Sequence, residues 1–198
     1  MPLIIQKYGK AYLESVEKIR TAAQHICQTV RAGNSVVVVS PVMAEMTDRW
    51  IGFADEISTN SYLRERNMII AAGEQVAIAL LSMALQELGQ PAISLTNSQI
   101  GTITESEYTC ARSLDIQTER IERYLSEGKV VVLTDFSNLT TTENIEFCTL
   151  EQGAIDASTN TFLMTLAAKL QANHCEIYTA LGGLFTADPQ IVPTNIRL

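Results

Sequence analysis

The residues best suited to chemistry are a lysine at the end of an apolar run and the glycine that follows it. Leu3-Ile4-Ile5-Gln6-Lys7-Tyr8-Gly9 predicts a β-strand running into a glycine turn. Such a turn aims backbone N–H groups and one ammonium at a phosphate. The next residues are Lys10, Ala11 and Tyr12, where a phosphate cradle needs glycine and hydroxyls. Lys7 therefore has two readings: an anion ligand, or a strand-end lysine whose head reaches solvent. Lys10 offers replacement charge in the first of these.

Other polar residues also carry two readings. Glu74, in Gly73-Glu74-Gln75, suits an amine ligand, or is an acid favoured by the dipole at a helix N-terminus. Thr47-Asp48 suits a ligand contact or a helix N-cap. His25 and His174 read as surface or packing residues, and Met43 and Met46 as space-fillers. Cys27, Cys110, Cys148 and Cys175 form no CxxC pair, so no metal site is expected and reduced cytoplasmic thiols are. A net charge of −8 argues against nucleic acid or an anionic membrane as partner. No apolar run approaches the ~20 residues of a membrane span, and no secretory leader is expected.

The positioning elements alternate. Leu13, Val16, Ile19, Ala23, Ile26 and Val30 repeat at helical spacing up to Gly33. Val36 to Val39 is a β-branched run apolar on both faces, as in a parallel sheet covered by helices. Helices are predicted over 47–57 and 63–88, the second either one helix or two meeting near Gly73, then a strand over 92–96. Short strand pieces such as 100–104 follow, then a helix over 118–127, a strand over 130–133, a hairpin around 140–150, a helix over 161–172 and a strand over 175–179. The 198 residues form one domain, a three-layer α-β-α sandwich with a mainly parallel central sheet.

Several of these segments, in order, resemble the catalytic domain of the aspartokinases, of the amino-acid kinase family. Lys7-Tyr8-Gly9 is similar to their opening Lys-Phe/Tyr-Gly-Gly motif. Gly73-Glu74-Gln75-Val76 with Ile78 to Leu85 is similar to their Gly-Glu-Gln helix, and Tyr178-Thr179 and Asp188-Pro189 to their nucleotide loop. The resemblance implies phosphorylation of the aspartate side-chain carboxylate with MgATP. It assigns Lys7 to the transferred phosphoryl group, Thr47 and Glu74 to the amino-acid substrate, and Gly9, Thr179 and Gly182 to the nucleotide.

The departures fall in the loops. Against Lys-Phe/Tyr-Gly-Gly-Thr-Ser, the second glycine is Lys10 and Thr-Ser is Ala11-Tyr12. Against Ser-Ala-Met-Gly-x-Thr-Thr-Asp the chain reads Pro41 to Asp48, with Pro41 for serine and Ala44 for glycine; Ala71 and Ala72 replace hydroxyls before Glu74. Against Gly-Arg-Gly-Gly-Ser-Asp-Thr, one alignment puts Asp156 at the arginine and Asn160 at the lysine-positioning aspartate. A rival alignment puts Gln152 and Asp156 there. Neither keeps the arginine, and an acid about 4 Å from a substrate carboxylate costs roughly 4 kcal/mol at an effective dielectric near 20. Ala180 and Gln190 are neutral where the nucleotide loop is ionic.

The leading expectation is a catalytically inactive aspartokinase-like protein, a binding or structural subunit in the cytoplasm. No cofactor is expected in that case. The alternatives are an active or residual MgATP-dependent kinase and an amine or amino-acid sensor. The family's regulatory ACT domains are absent from these residues. A protein partner or a homodimer is expected, over surface that further C-terminal segments would otherwise cover.

Overall fold

The computed structural model describes residues 1–60, 63–101, 103–104, 113–135 and 152–179. Five strands make one parallel sheet: β1 (Leu3–Tyr8), β2 (Ser35–Ser40), β3 (Ala92–Leu95), β6 (Val130–Thr134) and β7 (His174–Tyr178), in the order β3-β6-β2-β1-β7. β4 (Ile103–Thr104) and β5 (Ser113–Asp115) form a separate antiparallel pair. The helices are α1 (Val16–Arg31), α2 (Ala44–Ile57), α3 (Leu63–Glu87), α4 (Glu119–Ser126) and α5 (Gln152–Lys169).

The side-chain period of two divides the core. Val36 and Val38 of β2, Val130 and Val132 of β6, and Tyr8 of β1 pack on Ile19, Ala23 and Ile26 of α1 and Ile78, Leu81 and Leu85 of α3. Val37, Val39, Val131, Leu133 and Ile5 point the other way, onto Ile121 of α4 and Phe162, Leu163 and Leu166 of α5. Burial on both faces is why the central strands are apolar without alternation. From β1 through β2 to β3 the chain steps one way with α1 and α3 on one face. From β3 through β6 to β7 it steps back with α4 and α5 on the other, as right-handed crossovers require.

Some boundaries differ from those predicted. α3 is one continuous helix through Gly73, which is glycine because the neighbouring α2 fills the space a side chain there would need. α5 starts at Gln152, so residues 156–160 are helical rather than a loop. Ile100 closes a short 3-10 turn, Asn97–Ile100, and the strand piece is only Ile103–Thr104. Met46 is exposed, whereas Met43 is buried in the core as expected. The predicted hairpin around 140–150 lies outside the described residues.

The expectation about apolar runs needs correction as well. Met68–Glu87 of α3 has a mean hydropathy of 1.9, enough by length and composition to cross a membrane. One side of it instead covers the sheet, with Leu81 and Leu85 fully buried there. Leu81→Ala should therefore cost about 2–5 kcal/mol of stability by leaving a cavity. Urea denaturation checks this, and a loss well under 1 kcal/mol would contradict the placement of α3.

Candidate functional site at the carboxyl ends of the strands

In an open parallel sheet, ligands bind beyond the carboxyl ends of the strands, where adjacent connections leave for opposite faces. Here that crevice lies between β2, which leads to α2 and α3, and β6, which leads toward α5. The Asp135 N–H just past β6 donates to the Ser40 carbonyl ending β2 at 3.0 Å. Asn97, just past β3, donates from Nδ2 to the Asp135 carbonyl at 3.3 Å. Its Oδ1 is buried without a hydrogen-bond partner among the described residues.

Lys7 lies one residue before the end of β1, on the α5 side of the sheet. Its side chain is 8% exposed, and Nζ donates to Asn160 Oδ1 at 3.1 Å. The lysine thus does not simply reach out to solvent. Of the two alignments, the geometry matches the one that places Asn160 at the lysine-positioning site. The partner is a neutral amide, so the bond lacks the charge assistance a carboxylate would give.

The turn after β1 is a 3-10 turn, Lys10–Tyr12. Gly9 N–H donates to the Tyr178 carbonyl at 2.8 Å, extending the β1–β7 ladder. A Cβ on Gly9 would come 2.9 Å from that carbonyl oxygen, so close backbone approach suffices to require glycine. Tyr12 N–H is committed to the Gly9 carbonyl at 3.0 Å, and Tyr12 OH donates to the Thr179 carbonyl at 3.4 Å. Lys10 is exposed. Thr179 ends beside this turn, exposed; Gly182 lies outside the described residues, as do Ala180, Asp188 and Gln190.

Thr47 of α2 packs against Gly73 of α3, the residue before Glu74. Thr47 sits in the first turn of α2, its N–H bonded to the Met43 carbonyl at 3.1 Å, so Met43 and not Thr47 is the N-cap residue. Thr47 is 4% exposed, and its hydroxyl oxygen lies where a Cβ on Gly73 would collide with it. That oxygen has no hydrogen-bond partner among the described residues. Glu74 is buried beside Gly73 in the interior of α3, about three turns past the helix start. A helix N-terminal dipole therefore does not account for it, since that effect fades within the first turn.

The sequence reading missed a polar and aromatic cluster on the α1 side of β1 and β7. Tyr8 and Tyr178 stack at 4.8 Å, with Tyr12 and His25 edge-on to both. Gln6 Nε2 donates to Glu176 Oε2 at 2.8 Å and to Thr29 Oγ1 at 3.1 Å; Tyr178 OH donates to Glu176 Oε2 at 2.7 Å. Tyr8 OH and His25 Nδ1 are 2.9 Å apart, making His25 a packing residue as expected. Burial, then the neighbouring Tyr178, raises the Tyr8 phenol above its usual range. Burial, then the Glu176 hydrogen bond, does the same for Tyr178, so both remain hydroxyl donors at ordinary pH. The sequence signal was polar residues at alternate strand positions, Gln6, Tyr8, Glu176 and Tyr178, in otherwise apolar runs. Asn97, directly after β3, was marked only by its place at a strand end.

A doubly covered parallel sheet with an ammonium and buried polar groups at its carboxyl edge defines an α/β protein with a candidate ligand site at that edge. The chain belongs to the amino acid kinase family, whose model matches residues 2–198. It is 42% identical over all 198 residues to an aspartokinase of Geobacillus stearothermophilus, covering 47% of that protein. It is 39% identical to an aspartokinase of Corynebacterium glutamicum, covering 46%. The solved aspartate kinase from Synechocystis superposes with a TM-score of 0.73 at 44% identity, over 98% of this chain and 31% of that one. The chain therefore spans just under half the length of these curated relatives and is an aspartokinase-like amino acid kinase domain.

The contact between α2 and α3 gives a direct test. Gly73→Ala should cost about 1–3 kcal/mol, since the added methyl group would press on the Thr47 hydroxyl. Thr47→Ala removes the obstructing atom, so the double variant should recover most of the loss. Denaturation of the four-member cycle measures this; a coupling below about 0.5 kcal/mol would refute the packing.

Proposed function

We propose that this chain is an aspartokinase-type domain that has lost phosphoryl transfer and serves as a binding or structural subunit, in the cytoplasm. The observation that carries the reading is Lys7 bonded to neutral Asn160. In the aspartokinase pattern an aspartate positions this lysine. The turn beside it fits the phosphates of MgATP poorly: Gly9 and Tyr12 N–H are already hydrogen-bonded within the protein, and Tyr12 is fastened to Thr179. Phosphoryl transfer depends on clamping and neutralising the nucleotide phosphates. Loss of one such donor costs about 10²–10³ in rate, and several losses together need not multiply.

A second reading is favoured by the other cluster. Thr47 offers a buried hydroxyl without a hydrogen-bond partner among the described residues, packed on Gly73, and the following residue is the buried acid Glu74; a hydroxyl and an acid are the chemistry that holds an amine or amino acid. The domain then senses such a ligand without phosphorylating it.

Calorimetry with MgATP, then with aspartate, separates the readings. Silence toward nucleotide is expected, and micromolar nucleotide binding would overturn the loss of kinase function. Heat from aspartate that disappears in Glu74→Gln supports sensing, whereas silence toward aspartate removes that second reading.

A further inference from the structure

The carboxyl ends of three adjacent strands present a row of buried, uncharged polar groups. Ser40 ends β2, Thr134 ends β6 directly opposite it, and Asn97 follows β3 on the far side of β6; all three are buried. Neighbouring strands lie about 4.8 Å apart, so the row spans about 10 Å, the reach of one small ligand. Lys7 continues the row on β1, but its ammonium already donates to Asn160. The residue after Thr134 is the acid Asp135, which adds no positive charge.

Asn97 is the member of the row with unspent capacity. Its Nδ2 donates to the Asp135 carbonyl, which sets the orientation of the amide, and its Oδ1 meets no donor among the described residues. Turning the amide over would set its oxygen against that carbonyl. The backbone beneath is held as well. Thr96 and Gln99 form a reciprocal capping box around the turn Asn97–Ile100, and Arg120 of α4 donates to the Gln99 carbonyl at 2.8 Å. A buried acceptor fixed without a donor costs free energy, and a ligand that brings an N–H removes that cost.

We propose that this row recognises a neutral carboxamide, its NH2 group donating to Asn97 Oδ1 and its carbonyl accepting from the Thr134 hydroxyl. A carboxylate of the same shape would set an oxygen against Oδ1. It would also bring a negative charge that no free cation offsets among the described residues of the row. The inference rests on the amino-acid reading of Thr47 and Glu74 and names the class of its ligand. That ligand is an amino acid whose side chain ends in a carboxamide, asparagine being the smallest, with Glu74 left for the ammonium. Aspartate keeps the ammonium contact and binds measurably, but more weakly.

Calorimetry of the unaltered 198-residue chain with L-asparagine, L-aspartate and 2-amino-4-oxopentanoate is the test. The last of these puts a methyl group where asparagine has NH2, so it keeps the shape and the neutrality but loses the donor. Asparagine should bind about tenfold or more tighter than either. Asn97→Leu, shown to be folded by circular dichroism, should bring asparagine down to the level of the methyl ketone. If that variant does not fold, the three ligands on the unaltered chain still decide. Aspartate binding as tightly as asparagine would overturn the carboxamide and leave amino-acid sensing standing. A methyl ketone as tight as asparagine, or a preference that survives Asn97→Leu, would overturn the contact with Asn97. Silence toward all three ligands would overturn this inference and the sensing reading together.

Discussion

The pleat of β1 is the constraint on which the rest depends. β1 is hydrogen-bonded on both sides, to β2 and to β7, with Ile5 opposite Val37 and Cys175. A strand held on both edges cannot slip without turning every side chain to the wrong layer. Ile5 must enter the core under α5 and Tyr8 the core under α1, and this fixes Lys7 on the α5 side. The meeting of Lys7 with Asn160 is thus a product of sheet register rather than of loop design. The same register brings Gln6 beside Glu176 and Tyr8 beside Tyr178, which builds the aromatic cluster without further instruction.

The two groups of candidate residues rest on different support. Lys7 and Asn160 stand on a strand and a helix that share the core under α5, so their geometry is stiff. Thr47 and Glu74 depend on one helix–helix approach, made possible by the missing side chain at Gly73. Lys10, Ala11 and Tyr12 of the turn after β1 belong to neither support. Tyr12, in particular, found partners in Tyr8, Tyr178 and the Thr179 carbonyl. The scaffold beneath the turn thus does not depend on which residues occupy the turn itself.

Much of this was legible from residues alone. The valine run of β2 announces burial on both faces, and the apolar spacing of α1 announces its inner side. What escaped was three-dimensional. Ser58, Thr59, Asn60 and Ser61 do mark a helix start near Leu63, but nothing local says that the helix runs on unbroken through Gly73 and so leaves Glu74 mid-helix. Extension of α5 back to Gln152 was hidden because its early turns are polar, with Ser158, Thr159 and Asn160 resembling a loop. The pairing of Lys7 with Asn160 joins residues 153 positions apart, and only the resemblance to a family pattern, not periodicity, pointed to it.

Gly9 has a consequence for how such proteins are recognised. Its hydrogen atom in place of a side chain serves the approach of β7 as much as any ligand, since a methyl group would meet the Tyr178 carbonyl. The residue answers to two masters, and release from one leaves it bound by the other. A lineage that abandoned phosphate would still carry Lys-Tyr-Gly, and a signature search would still report it. In this fold the presence of that glycine certifies the sheet and is silent about turnover.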